Sequence, residues 1–120
     1  TDNTGNQSSD TATVTITYAY PTVTITKPVN GLYFFNTRIL PFPKPVIIGP
    51  ITIEVTANQI PFGIDHVAFT INKHVRFTDT EAPYAWTWNT PTFFQHTITV
   101  TAFDRTGKST STSISVSKFF

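Results

Sequence analysis

The sequence predicts an all-β fold: an antiparallel β-sandwich of about seven strands with an additional strand at the N-terminus. Two observations predict it. Apolar and polar residues alternate with a period of two in short segments, and Pro, Gly, Asn and Asp separate these segments. No stretch longer than a few residues shows the 3.6-residue apolar period of a helix. Short half-buried strands at close spacing are typical of two packed sheets.

A repeat relates the two ends of the chain. Residues 2–5 and 104–107 both read Asp-x-Thr-Gly, and each is followed by a strand in which Ser or Thr alternates with Ile or Val. The spacing of about a hundred residues is the length of one sandwich domain. We therefore expect residues 21–120 to form an immunoglobulin-sized domain. Residues 1–20 are then either the last strand of a preceding repeat or a strand donated to a neighbour.

In this N-terminal strand, Val14, Ile16 and Tyr18 alternate with threonines and therefore share one face. These residues are the candidates for docking onto a sheet edge of a neighbouring copy by strand addition. Head-to-tail addition that does not close into a ring produces a filament. Pro21 interrupts the alternation, and we interpret it as the hinge between this strand and the domain.

One modification pattern occurs in the same region. Asn6-Gln7-Ser8 matches the Asn-x-Ser/Thr pattern of N-glycosylation sites. It lies in a polar segment before the apolar residues of the N-terminal strand, where we expect a glycan to meet no steric obstacle. Asn6 is therefore a candidate N-glycosylation site, on a pattern short enough to arise by chance.

The domain begins with Val23 and Ile25, which alternate with threonines in a first strand. Residues 32–50 follow as an irregular stretch in which proline occupies every second position from 41 to 45. Because proline lacks a backbone N–H, this spacing predicts a long edge segment without a regular ladder, which covers the flank of the sandwich and blocks aggregation. A proline-rich recognition site for a partner is the alternative.

The remaining strands all carry apolar residues at every second position. These residues are Ile51, Ile53 and Val55; Val67, Phe69 and Ile71; Val75 and Phe77; Tyr84, Trp86 and Trp88; Ile98, Val100 and Ala102; and Ile114 and Val116. Residues 72–74 are predicted to form a three-residue hairpin loop that keeps the apolar sets before and after it on the same face.

Tyr84, Trp86 and Trp88 share one side of their strand, and two interpretations compete for them. Exposed tryptophans can form a platform on which sugar rings stack, whereas a buried tryptophan is a familiar element of sandwich cores. Their parity is that of the core face, which favours burial.

Phenylalanines near strand ends are the candidates for contact with a neighbouring subunit or partner. In an extended chain, consecutive residues point to opposite sides, so one ring of each Phe-Phe pair is expected to be exposed. The candidates are Phe34, Phe35, Phe93, Phe119 and Phe120. Exposed aromatic side chains fit a contact between subunits, although the last two can also cap the core.

Composition narrows the possible partners and location. The formal net charge is +1 and only 12% of the residues are charged, so no basic face is available for nucleic acid. No apolar run reaches the roughly 18 residues that a spanning helix requires, so we expect no membrane insertion. The absence of cysteine excludes disulfides and thiolate zinc sites. Thr-rich strands suit a secreted β-protein, and we expect an extracellular or cell-surface location.

We expect no enzyme activity, no cofactor and no metal site. His66, His74 and His96 lack the spacing that brings imidazoles together, and the parity of the first two predicts that they face solvent. No serine lies in a Gly-x-Ser-x-Gly turn. Glu54 and Glu81 lie on an exposed strand face and in a loop, whereas glycoside hydrolysis requires two carboxylates across a cleft.

A calcium site is the alternative to the expectation of no metal, because calcium accepts a loose set of oxygen ligands. The carboxylates that can meet at one end of the sandwich are those of Asp65, Asp79, Glu81 and Asp104. The dense Asp/Asn pattern of a calcium loop is missing from the sequence. We therefore interpret Asp2, Asp79 and Asp104 as residues of Asx turns.

Three motifs follow one another in the second half of the chain. Residues 79–84 read Asp-Thr-Glu-Ala-Pro-Tyr, residues 86–88 read Trp-Thr-Trp, and residues 104–107 read Asp-Arg-Thr-Gly. With these motifs the chain resembles the bacterial and archaeal immunoglobulin-like domains that occur in tandem on secreted and surface proteins. The resemblance implies a Greek-key immunoglobulin-like sandwich with a scaffold or adhesion role. Members usually have Asp-Gly in the central hairpin, where this chain has Asn72-Lys73. Because glycine is typical of positions with positive φ, the resemblance implies a positive φ at Lys73.

Two classes of function are open on the sequence. The first is a non-catalytic structural module of an extracellular surface protein or fibre, which assembles head to tail with neighbouring copies through its N-terminal strand. The alternative is an accessory binding domain of a secreted multidomain protein, for adhesion or carbohydrate, although no motif supports carbohydrate. Buried tryptophans with a docked N-terminal strand favour the first class, and an exposed tryptophan pair favours the second.

Overall fold

The computed structural model describes residues 19–120. Asn6 and the docking residues Val14, Ile16 and Tyr18 lie outside the described residues, so the predictions for them stay predictions. The strands of residues 19–120 are β1 Thr22–Lys27, β2 Gly31–Phe34, β3 Thr37–Leu40, β4 Pro45–Ile48, β5 Ile51–Asn58, β6 Ile64–Ile71, β7 His74–Asp79, β8 Tyr84–Trp88, β9 Gln95–Asp104 and β10 Ser109–Phe119. This part of the chain contains no helix long and apolar enough to cross a membrane.

The strands form two sheets that pack as a sandwich. The larger sheet has the order β3-β2-β4-β10-β9-β6-β7, and the smaller one has the order β1-β5-β8. The chain crosses between the sheets after β1, β4, β5, β7 and β8. Such crossings are the Greek-key connectivity of immunoglobulin-like domains. The predicted fold class is therefore confirmed. The seven strands that the alternation predicts are β1 and β5 to β10.

Alternation places one face of each inner strand in a shared core. Ile53 of β5, Phe69 of β6 and Ile98 of β9 are completely buried, while most residues of the opposite parity are partly or fully exposed. β-Branched side chains fit this pleated arrangement because they are stiff and pack against their cross-strand neighbours. Trp88 of β8 is the largest side chain that is fully buried in the described residues.

Residues 32–50 are more regular than the sequence predicts. Strand β2 pairs antiparallel with β3 and parallel with β4, and β4 pairs parallel with the end of β10. The prediction of a segment without a ladder is therefore wrong. The prolines permit the ladder because Pro41 and Pro43 lie between β3 and β4, and Pro45 is the first residue of its strand. The segment does lie at the flank, where β3 is an edge strand of the larger sheet.

The β6–β7 hairpin also differs from its prediction. Ile71 pairs with His74, so the loop has two residues, Asn72 and Lys73, with φ values of 49° and 73°. Two positive φ values define the turn that matches the twist of a hairpin. The expected positive φ at Lys73 is confirmed, and the three-residue loop is wrong. A register shift between Phe69 and Thr70 places Val75 opposite Thr70, on the solvent side. The two apolar sets therefore do not share one face.

Truncating a core residue should destabilise the fold far more than truncating an exposed one. Ile98→Ala removes buried methyl groups and leaves a cavity, so we expect the free energy of unfolding to fall by about 2–5 kcal/mol. Ile39 is 52% exposed, and Ile39→Ala should change that free energy by about 0.5 kcal/mol or less. Urea unfolding of both variants measures the difference. Equal costs would contradict the packing described above.

Candidate interaction surfaces

Most loops of the sandwich gather at two opposite ends. The entry end, where the chain reaches β1, comprises residues 19–21, 59–63, 80–83 and 105–108. The exit end comprises residues 35–36, 49–50, 72–73, 89–94 and 120. Because β10 runs from the entry end to the exit end, the chain enters the domain at one end and leaves at the other.

The start of the domain is held by polar contacts at the entry end. Buried Gln59 donates a hydrogen bond from Nε2 to the carbonyl oxygen of Ala19 (2.9 Å), and its Oε1 accepts one from the Phe62 N–H (3.0 Å). The Nζ of Lys108 lies 5.2 Å from the centre of the Tyr20 ring, a cation–π distance. Residues 19–20 therefore have a defined place beside the turn 105–108.

Asp104 organises that turn. Its Oδ1 accepts hydrogen bonds from the Thr106 N–H (2.8 Å), the Thr106 hydroxyl (2.6 Å) and the Lys108 N–H (3.1 Å). Burial raises the pKa of the Asp104 carboxyl, but the hydrogen bonds and the charge of Lys108 outweigh it, and the net pKa lies below the ordinary value of 3.8. Asp79 likewise accepts a bond from the Glu81 N–H. The Asx turns predicted for Asp79 and Asp104 are confirmed; Asp2 lies outside the described residues.

Asp65 and Asp79, two carboxylates near the entry end, have separate hydrogen-bond partners. Asp65 Oδ2 lies 2.7 Å from His66 Nδ1, and both oxygens of Asp79 accept backbone N–H bonds, from Glu81 and Ala85. No group of three or more His, Cys, Asp or Glu side chains in residues 19–120 is arranged to hold a metal ion. The geometry therefore provides no calcium-binding constellation in this part of the chain.

The histidines are separated and have structural contacts. His74 is exposed, as predicted. His66 lies on the solvent face of β6, as its parity predicts, and is only partly exposed because it stacks on the ring of Phe103 on β9 at 4.4 Å. His96 bonds to Asn72 (2.7 Å) and Thr92 (2.8 Å), which ties the β6–β7 turn to the loop 89–94.

The tryptophans do not form a sugar-stacking platform. Trp88 is buried, and Trp86 is partly buried between Phe69 and Arg76, at 6.2 Å and 5.8 Å from its ring centre. Tyr84 is buried as well. The interpretation that these rings belong to the core is confirmed.

Lys118 is a buried cation that the sequence analysis missed. Its Nζ donates hydrogen bonds to the carbonyl oxygens of Thr90 (3.0 Å) and Phe120 (2.5 Å) and lies 5.0 Å from the Trp88 ring centre. Burial lowers the pKa of this amino group. The available signal was parity, because Lys118 continues the core-facing series of Ile114 and Val116. The side chain fixes the loop 89–94 against the end of β10.

The exit end carries six phenylalanines, which we call the exit-end aromatic patch: Phe34, Phe35, Phe93, Phe94, Phe119 and Phe120. All of them are exposed except Phe119, which is partly buried. Ring centres lie 4.7 Å apart for Phe34–Phe35, 5.7 Å for Phe93–Phe120 and 6.3 Å for Phe94–Phe119. Both members of each Phe-Phe pair in residues 34–35 and 93–94 are exposed, so the expectation of one exposed ring per pair is wrong. Positive φ values at Phe35 (48°) and Phe94 (77°) break the alternation of an extended chain.

A second exposed apolar surface lies on the flank, on β3 and the β3–β4 loop. Ile39, Leu40 and Phe42 are 52%, 45% and 43% exposed, and Arg38 and Lys44 flank them. We call these residues the flank patch. It continues the stretch for which the sequence left open a partner-recognition role, and large exposed apolar patches mark interaction sites.

These observations define an immunoglobulin-like sandwich module with surfaces for contact. The chain belongs to the bacterial Ig domain family, whose model matches residues 21–102. It is similar to a solved structure of fibronectin(III)-like modules of Clostridium thermocellum CbhA, with a TM-score of 0.67 and 25% identity over 88% of this chain and 49% of that chain. It is also similar in fold to the endo-beta-1,4-mannanase from Thermotoga petrophila, with a TM-score of 0.60 and 12% identity over 83% of this chain and 20% of that chain. A search of proteins with curated functions found no match.

The pH dependence of stability tests the Asp104 turn. Because the pKa of Asp104 is lower in the folded chain than its ordinary 3.8, its ionised form stabilises the fold above that value. This contribution is lost as the pH falls through 3.8 toward the folded-state pKa. Asp104→Asn retains an acceptor oxygen but cannot ionise, so its urea midpoint should fall less than that of the wild type between about pH 5 and about pH 3.

The control for this measurement is Thr106→Val, which removes one hydroxyl donor and keeps the carboxylate. It should lower stability at neutral pH but retain most of the acid dependence. If Asp104→Asn loses as much stability on acidification as the wild type, the turn does not depend on the ionised carboxylate.

Proposed function

We propose that this domain is a non-catalytic accessory module of a secreted multidomain protein, placed in series with other domains of the same fold. The observation that carries the proposal is the 25% identity over 88% of this chain to fibronectin(III)-like modules, in a structure about twice its length. Bacterial Ig domains are typical of secreted and surface proteins, which supports an extracellular location.

The serial arrangement is supported by the polarity of the domain. The chain enters and leaves at opposite ends, so copies joined end to end extend in one direction. Val14 and Ile16 stand one hundred positions before Ile114 and Val116, the core-facing residues of β10. This correspondence supports the interpretation of residues 1–20 as the last strand of a preceding copy.

Donation of that strand to a separate chain has less support. The N-terminal strand has the sequence pattern of β10, so a donated copy of it would take the place of β10 in the larger sheet. That place, between β9 and β4, is already occupied by the chain's own β10. In residues 19–120, a donated strand could add only to a strand edge, such as that of β1. A covalent series needs no such edge, and we therefore prefer it to a non-covalent fibre.

The two arrangements differ in what a denaturing gel shows. An antibody raised against the 120-residue chain should detect, in the extracellular or cell-envelope fraction of the source organism, a band several times larger than a single domain, because a covalent series survives boiling in detergent. A ladder that collapses on boiling to one domain would instead indicate a non-covalent polymer. A single-domain band in the cytosol would contradict the proposal.

Adhesion is a second candidate function, favoured by the flank patch. Its aromatic residue, Phe42, is 43% exposed on the β3–β4 loop, between Pro41 and Pro43, which limit the freedom of the backbone. Such a rigid exposed ring suits contact with a sugar face or an apolar protein surface. The buried tryptophans give carbohydrate binding no further support, so the identity of the ligand has to be found by experiment.

Co-sedimentation with insoluble polysaccharides tests the carbohydrate form of this function. If the flank patch binds sugar, the chain should sediment with at least one of cellulose, mannan or chitin, and Phe42→Ala should weaken binding about 5- to 30-fold because it removes an aromatic contact. Phe77→Ala is the matched control, since Phe77 is 42% exposed but lies on β7, at the other edge of the sheet. Absence of binding to every polysaccharide, or equal loss in both variants, would contradict this role.

A further inference from the structure

The exit end is apolar and lacks carboxylates. Its aromatic patch leaves Phe94 74% and Phe120 63% exposed, and the loops of this end contain no Asp or Glu. Lys73, at the tip of the β6–β7 hairpin, adds an exposed positive charge. A surface of this kind suits a partner that is itself apolar and carries negative charge.

The entry end is complementary to it in both respects. Ile60 and Phe62 are 76% and 38% exposed there. The charged residues at or beside the entry loops are Asp65, Asp79, Glu81 and Asp104, against Arg105 and Lys108, and Asp65 Oδ2 lies 2.7 Å from His66 Nδ1. Asp104 is taken up by its own turn, but Asp65 and Glu81 are exposed. The partner whose chemistry fits the exit end is therefore the entry end of a second copy.

The connection between copies is short enough to impose this contact. Tyr20 stands one hundred positions before Phe120, so the equivalent of the end of β10 in a preceding copy lies at residue 19. Strand β1 begins at Thr22. An extended chain spans at most about 3.6 Å per residue, so the three steps from residue 19 to residue 22 hold the two ends within about 11 Å of each other.

We propose that the exit-end aromatic patch docks on the entry end of the following copy, with the aromatic residue of the junction held between Phe93 and Lys108. Both halves of this contact are present in the chain: the Phe120 ring lies 5.7 Å from that of Phe93, and Lys108 Nζ lies 5.2 Å from the Tyr20 ring. At a junction, one ring makes both contacts. The inference rests on the serial arrangement proposed above and adds the interface within it.

A tandem protein tests the interface directly. It consists of residues 1–120 followed at once by a second copy of residues 21–120, so that Phe120-Pro reproduces the Tyr20-Pro21 junction. If the ends dock, the domains stabilise each other, and the tandem should melt about 4–8 °C above the 120-residue chain. Small-angle X-ray scattering should show one fixed, extended arrangement of the two domains.

Phe94→Ser in the first copy should abolish this rise in melting temperature and broaden the distribution of interdomain distances, without changing the melting temperature of the 120-residue chain. Phe42→Ser, on the flank patch, is the matched control and should leave the rise intact. A tandem that melts with the single chain, or a rise that survives Phe94→Ser, overturns the interface. The source-organism gel tests the serial arrangement independently, so a band of one domain would contradict that proposal even if the tandem docks.

Discussion

The structure depends on one constraint: alternate residues of β5 and β9, inner strands of the two sheets, must share a single core. Ile53 and Ile98 are completely buried in it, and Trp88 fills the space toward the exit end. Without cysteines, no disulfide links the sheets, so hydrophobic burial is what holds them face to face. The strands that pack in this core end on two opposite sides, where their loops form the entry end and the exit end.

The buried Lys118 connects this core to the surface that we propose as an interface. A buried ammonium group is costly unless its N–H groups are paired, and Lys118 meets the cost with two carbonyl oxygens and the face of Trp88. One of these carbonyls belongs to Thr90, so the loop that carries Phe93 and Phe94 is tied to the core. The exposed rings are therefore presented by a fixed loop, and docking on them costs little ordering entropy.

Local alternation predicts the seven strands of the sandwich because each strand obeys it independently of its partners. It fails where the register of strand pairing, or a positive φ, decides which side of the sheet a side chain faces. The shift between Phe69 and Thr70 reverses the side on which Val75 lies, and the parallel pairing of β4 with β10 joins residues far apart in sequence. Positive φ at Phe35 and Phe94 exposes rings that alternation would hide. The sequence therefore identifies the phenylalanines as candidate contact residues, but it does not predict that they gather in one patch.

The two exposed apolar surfaces do not compete for the same neighbour. The exit-end aromatic patch lies at one end of the sandwich, where the proposed next copy would dock, whereas the flank patch lies at an edge of the larger sheet. In a series with docked ends, each copy would hold its flank patch at a fixed angle to the next. Weak contacts of many such patches with one extended ligand then act together, because each bound copy raises the effective concentration of its neighbours. A rigid junction would thus make a weakly binding module useful in adhesion.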